Sequence, residues 1–181
     1  MKNNESSLLP APSTPLPNAA ITLLNYAADW VTRNFDPADE QPMLPVLLRV
    51  DQDGDIQGMA IPELRPQDQA KVERIIQQSI TDYQAIAFVT EMWLSIPKAG
   101  KSLAEGANFP RCDPERREVV AIRLLIGSRE ILWHNEIRRH MSARESLQGW
   151  RIIGDSAAGF RLVTYENASG SIQICFKQTP R

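Results

Sequence analysis

Two cysteines and two histidines in 181 residues leave little for redox or metal chemistry. Cys112 and Cys175 cannot build a disulfide framework or an all-thiolate zinc site. So few thiols suit a reducing compartment, and the expected location is cytoplasmic. No apolar run reaches the roughly 18 residues that a membrane-spanning helix needs. The opening MKNNESSLLPAPSTPLPNAA also lacks the apolar core of a signal peptide. An excess of charge of one sign is missing too: 20 basic side chains face 22 acidic ones, a net of −2. A chain built wholesale to coat nucleic acid would be strongly basic. Nor does the sequence hold GxSxG, a P-loop, GxGxxG or HExxH.

What is present has the balance of one globular domain, 43% hydrophobic and 23% charged. Residues 1–17 hold Pro10, Pro12, Pro15 and Pro17 among small polar side chains. They read as a flexible tail, which leaves 18–181 as a single domain.

Asn18 reads as the N-cap of a first helix, with Ile21, Leu24, Ala28, Val31 and Phe35 at helical spacing. Leu23, Tyr26 and Trp30 widen that stripe, and Asn34 with Pro37 ends it. LPVLLRVDQDGDIQGMAI (44–61) reads as two strands around an Asp-Gly turn at 53–54. A second helix follows, with Pro66 in its first turn and Val72, Ile75, Ile76, Ser79 and Ile80 as its apolar stripe. Strands are expected at 84–96, 117–126, 129–139, 160–166 and 171–177, with long connections at 97–115 and 141–149. This order lacks β-α-β alternation. The expected fold is therefore α+β, an antiparallel sheet of about six to seven strands with two helices packed on one face.

If the central strands are neighbours, Ile86, Phe88, Met92 and Leu94 should join Val120, Ile122, Leu124, Ile131, Trp133 and Ile137 under the helices. The opposite face would then carry Glu91, Trp93, Arg123, Leu132, His134, Glu136 and Arg138. A solvated face with a Glu91–Arg123 pair is one reading. The other places an acid–base set, Glu91, His134 and Glu136, on an open platform. DQDGD mimics a calcium loop, but Ile56 and Pro62 stand where the loop needs Gly and an acid, so it reads as a hairpin turn. His134, Glu136 and His140 lack companions at metal-ligand spacing, and neither a metal nor a cofactor is expected. Cys112 lies beside Arg111 with no evident base, and Cys175 reads as a strand residue.

Charge is uneven along the chain. Residues 1–110 carry 8 basic and 14 acidic side chains, a net of −6, whereas 111–151 carry 9 arginines, no lysine and 6 acids, a net of +3. Arginine without lysine suits bidentate contact with carboxylate or phosphate. It equally suits internal pairing with the acidic first half. Arg138, Arg139, Arg144 and Arg151 form the candidate patch for an anionic or protein partner. Nucleic acid is weakly supported, since only Trp133 and Trp150 could stack bases there.

The strand FVTEMWLS, the 97–115 loop and the following PERREVVAI resemble a group of uncharacterised small bacterial and phage-type proteins. There a Glu-x-Trp strand runs through a Pro-containing loop into a Pro-x-Arg-x-Glu element. Glu91, Trp93, Pro114, Arg116, Arg117 and Glu118 carry the likeness, while Thr90 and Met92 replace smaller residues. The resemblance implies a shared strand–loop–strand core and points to Glu91, Trp93, Arg116 and Glu118. The expectation is a non-catalytic binding or accessory protein acting on a protein or anionic partner, for example a mobile-element protein that blocks a host factor. Enzyme and nucleic-acid binder are the alternatives.

Overall fold

The computed structural model describes residues 9–36, 38–39, 42–61, 69–95, 113–139, 147–166 and 172–178, and beyond residue 159 the backbone alone. The expectations at Pro66, the 97–112 part of the long loop, Cys112, His140 and Arg144 lie outside these residues.

The elements run α1 (Asn18–Asn34), β1 (Val46–Val50), β2 (Ile56–Ala60), α2 (Gln69–Ser79), β3 (Ala85–Ser95), β4 (Arg117–Ile126), β5 (Arg129–Ile137), β6 (Leu147–Asp155), β7 (Phe160–Glu166) and β8 (Ile172–Gln178). Six strands form an antiparallel path in the order β2-β1-β3-β4-β5-β6, and the β7–β8 hairpin joins through β8. One edge of β3 pairs with β4 along 86–94. Its other edge is shared: β1 takes residues 85–89 and β8 takes Trp93–Ser95 in a short parallel ladder. The α+β class and the antiparallel sheet with two helices follow the sequence reading.

The helices, however, do not share a face. Ala85, Ala87 and Val89 cluster with Ala20, Leu23, Leu24, Ala27, Ala28 and Val31 of α1, together with Val120, Ile122, Leu124, Ile131 and Trp133. Ile86 and Phe88 cluster instead with Val72 and Ile76 of α2, plus Leu47 and Leu125. Side chains one residue apart on a strand point to opposite sides, so α1 and α2 lie on opposite faces. Both faces of β3 are consequently buried over most of its length. This explains why its sequence is a near-continuous apolar run. The register sets Phe88 against Arg123 and Val89 against Ile122, one residue out of step with the grouping expected from the strands taken separately.

On α1 the buried stripe is carried by Ala20, Leu23, Leu24, Ala27, Ala28 and Val31, while Ile21 and Tyr26 are exposed. Alanines let the helix approach the sheet closely. Asn18 is the first helical residue rather than the cap, and Pro17 precedes it without a side-chain cap. In the β1–β2 turn, Gly54 adopts φ 91°. The Asp51 carboxylate accepts from the Asp53 and Asp55 N–H groups at 3.0 and 2.9 Å. Asp51 therefore satisfies two N–H groups of the turn itself.

Strand β6 has no counterpart among the strands that the sequence predicts. Its sequence LQGWRIIGD holds two glycines, and the register slips twice against β5, which erases strict alternation. At the second slip Gly149 takes φ 98°, and its N–H donates to the Asn135 side chain at 2.9 Å in place of a ladder partner.

The proline-rich segment is packed rather than free over residues 9–17. Leu9 is buried in the α1 cluster and Leu16 packs against it. The Trp133 indole donates to the Pro10 carbonyl at 3.1 Å. Arg129 donates to the carbonyls of Thr14 and Pro15 at 3.1 and 3.3 Å. Asp155, itself buried, holds that guanidinium through two contacts at 3.1 and 2.7 Å. The tail expected from composition is thus a strap over these residues. Its prolines cannot donate to a ladder, but their carbonyls still require donors.

Candidate functional site

Because β3 and β4 are antiparallel, as are β4 and β5, the end of β3, the start of β4 and the end of β5 meet at one end of the sheet. There Trp93 stands opposite Glu118, and Val119 opposite Glu136. Glu91, Trp93 and Glu118 share the α1 side by strand parity.

Arg139 draws this end together. Its Nη2 lies 2.8 Å from Glu91 and 2.7 Å from Glu118, its Nε donates to Glu118 at 3.0 Å, and its Nη1 donates to the Asp39 carbonyl at 2.8 Å. The other Glu91 oxygen accepts from the Met43 N–H at 2.8 Å. Beside this cluster the Arg116 guanidinium sits 4.5 Å above the Trp93 ring. The Ser95 hydroxyl bonds the Asp113 carboxylate, fixing the end of the strand to the residues before β4. Burial raises the Glu91 carboxyl above its ordinary value, against the opposing pull of Met43 and Arg139. Arg139 is held charged by the Glu118 hydrogen bonds, which outweigh its partial burial.

The opposite face is organised differently. Arg123 grips Glu73 of α2 with two bonds at 2.8 and 2.7 Å and also bonds Glu130. His134 is buried, with its Nδ1 lacking a hydrogen-bond partner. Burial and the nearby Arg151 charge push His134 down to about 4, so its ring is neutral near pH 7. Arg117 pairs with Glu136 at 3.0 Å across the strands.

The predicted residues therefore divide. Glu91 and His134 lie on opposite faces, since Glu91 pairs with Val120 whereas His134 pairs with Ala121. The acid–base set of Glu91, His134 and Glu136 is not assembled. Arg139, expected on a free patch, is bound internally, as are Arg117, Arg123 and Arg129. Much of the arginine block thus serves internal ion pairs, two of them with acids of the first half, Glu73 and Glu91. Arg138 and Arg151 are exposed. The Glu91, Trp93, Arg116 and Glu118 set does converge at one end.

Sequence reasoning missed Glu73, Asp155, Asp39 and Met43. The last two contribute backbone atoms, which carry no side-chain signal at all. Among the described residues, no group of three or more His, Cys, Asp or Glu side chains is placed to hold a metal, and no helix is long and apolar enough to cross a membrane. Comparison with family models, curated proteins and solved structures returns no match.

Proposed function

We propose that this chain is a non-catalytic binding protein whose partner is another protein, met at the sheet end that carries Trp93 and Arg116. The observation that carries this reading is the cation–π stack between those two side chains, with Arg116 exposed at the residue before β4. Tryptophan and arginine are the residue types that most often anchor protein interfaces. A stacked guanidinium is oriented before a partner arrives, so less rotamer freedom is lost on binding.

Electrostatics favour a protein over nucleic acid. Among the described residues, Arg116, Arg117, Arg138 and Arg139 at this end face Glu91, Asp113, Glu115, Glu118 and Glu136. That mixture gives no positive field for a phosphate backbone, whereas mixed charge around an aromatic anchor suits a polar interface rim.

A photo-crosslinking amino acid placed at Arg138, and separately at Thr32 on the exposed side of α1, tests the reading in cells. Discrete protein adducts at position 138 that vanish with Trp93→Ala, alongside none at position 32, are expected. Adducts of equal pattern at both positions, or nucleic acid in the adduct at 138, would reject it.

A further inference from the structure

The strap formed by residues 9–17 shows what its groove recognises. It lies without helix or strand structure over β5 and carries four prolines, which have carbonyls but no N–H to donate. The sheet offers two donors to them. Trp133, on the α1 face of β5, donates to Pro10, and Arg129, four residues earlier on the same face, donates to Thr14 and Pro15. Four strand residues span about 13 Å. The strap bends at Ser13 and Thr14 and runs antiparallel to β5, so Trp133 meets the Pro10 carbonyl ahead of the bend and Arg129 meets the carbonyls of Thr14 and Pro15 at and just after it.

The donors are also fixed in advance. Trp133 is fully enclosed, and Asp155 clamps Arg129 by a two-point contact while its own carboxylate is held below the usual range, first by Arg129. Leu9 and Leu16 add an apolar residue near each end of the strap. The hydrogen bonds to the strap all fall on main-chain carbonyls, and Pro12 between them is half-buried.

We propose that this groove is a docking site for a proline-rich segment of another protein, and that residues 9–17 are its tethered, exchangeable occupant. Proline-rich segments are generally captured by aromatic surfaces, and here the aromatic residue also donates to a proline carbonyl. A second copy supplying its own strap is the less suitable occupant. Pro17 leads into α1 with no intervening linker, and α1 is packed on the same face, so a swapped strap would need α1 to move. This surface is separate from the Trp93–Arg116 end, and the two proposals stand or fall independently.

The probe is a fluorescent peptide of residues 9–17, LPAPSTPLP, titrated into the full chain by anisotropy. The strap competes from within the molecule, so the unmodified chain binds weakly. Leu9→Ser removes one apolar anchor and leaves both donors, and it should tighten peptide binding by about tenfold or more. Adding Arg129→Ala should abolish that gain, and a peptide with every proline replaced by alanine should not bind. Two outcomes overturn the proposal: Leu9→Ser that melts cooperatively yet binds no better than the unmodified chain, or a strap-exchanged dimer in light scattering. A second measurement needs no variant. The peptide carrying a spin label, at millimolar concentration, should broaden the Trp133 indole N–H resonance of the unmodified chain, and an unaffected resonance likewise overturns the proposal.

Discussion

Arg139 reaches across β4 to Glu91, its Nη2 2.8 Å from the carboxylate, joining two strands that are not neighbours. The same guanidinium holds Glu118 on the intervening strand and the Asp39 carbonyl beyond the helix, so a single side chain ties four chain segments. Arg139→Ala should leave the almost fully buried Glu91 side chain without its cation. Losing one partner of such a pair typically costs about 3 kcal/mol, and the midpoint in urea unfolding should drop accordingly. Arg139→Lys should recover only part of this, because an ammonium cannot serve two carboxylates and a carbonyl from a planar fork.

Glu91 itself should behave in the opposite sense. Its folded carboxyl is shifted upward, chiefly by burial, so the folded state holds the proton more readily than the unfolded chain. That contribution is fully present below the ordinary carboxylate value of 4.5 and is lost as pH rises through the folded value. Glu91→Gln copies the neutral form and keeps an oxygen for the Met43 N–H. At pH 7 it should be at least as stable as the parent, and the gap should close as pH falls toward the ordinary value. A loss beyond about 1 kcal/mol at pH 7 would mean that the Arg139 pair outweighs the burial penalty.

The class of fold could be read from the sequence because it rests on local signals. The Asp-Gly turn, the helical spacing of Leu24, Ala28 and Val31, and the strand at 117–126 each report on a few adjacent residues. Which face of β3 belongs to which face of β4 could not be read that way. It depends on register, and a slip by one residue exchanges every side chain between faces. Strands read separately put Glu91 beside His134, whereas the register sets the two on opposite faces. The contacts of residues 9–17 are not legible for a related reason: composition reports what a segment contributes to a core, and not which donors elsewhere its carbonyls will satisfy.

His134 gives a second pH dependence, of opposite direction. Its folded value of about 4 lies below the ordinary 6.5, so the unfolded chain takes up the proton first. Stability from this residue is present above the ordinary value and is lost as pH falls from about 6.5 to 4. The full difference corresponds to about 3 kcal/mol as an order of magnitude. A ring that remains neutral by NMR at pH 5.5 is the expected result. His134→Gln should flatten the stability profile across that interval, and an unchanged slope would assign it to other groups.

Arg123 is the most consequential single charge on the α2 side. It is mostly buried, grips both oxygens of Glu73 and also bonds Glu130, so it anchors α2 to the sheet. The two glutamates outweigh the burial that would otherwise lower its pKa. Arg123→Ala should cost about 2–4 kcal/mol, with hydrogen exchange faster in α2 than in α1, because Val72 and Ile76 lose the contact that sets their helix against Leu47 and Phe88. Arg123→Met tests the alternative that packing of the long aliphatic stem matters more than charge. If Arg123→Met matches the parent while Arg123→Ala does not, the stem dominates. If both weaken α2 equally, the bidentate grip on Glu73 is what holds the helix in place.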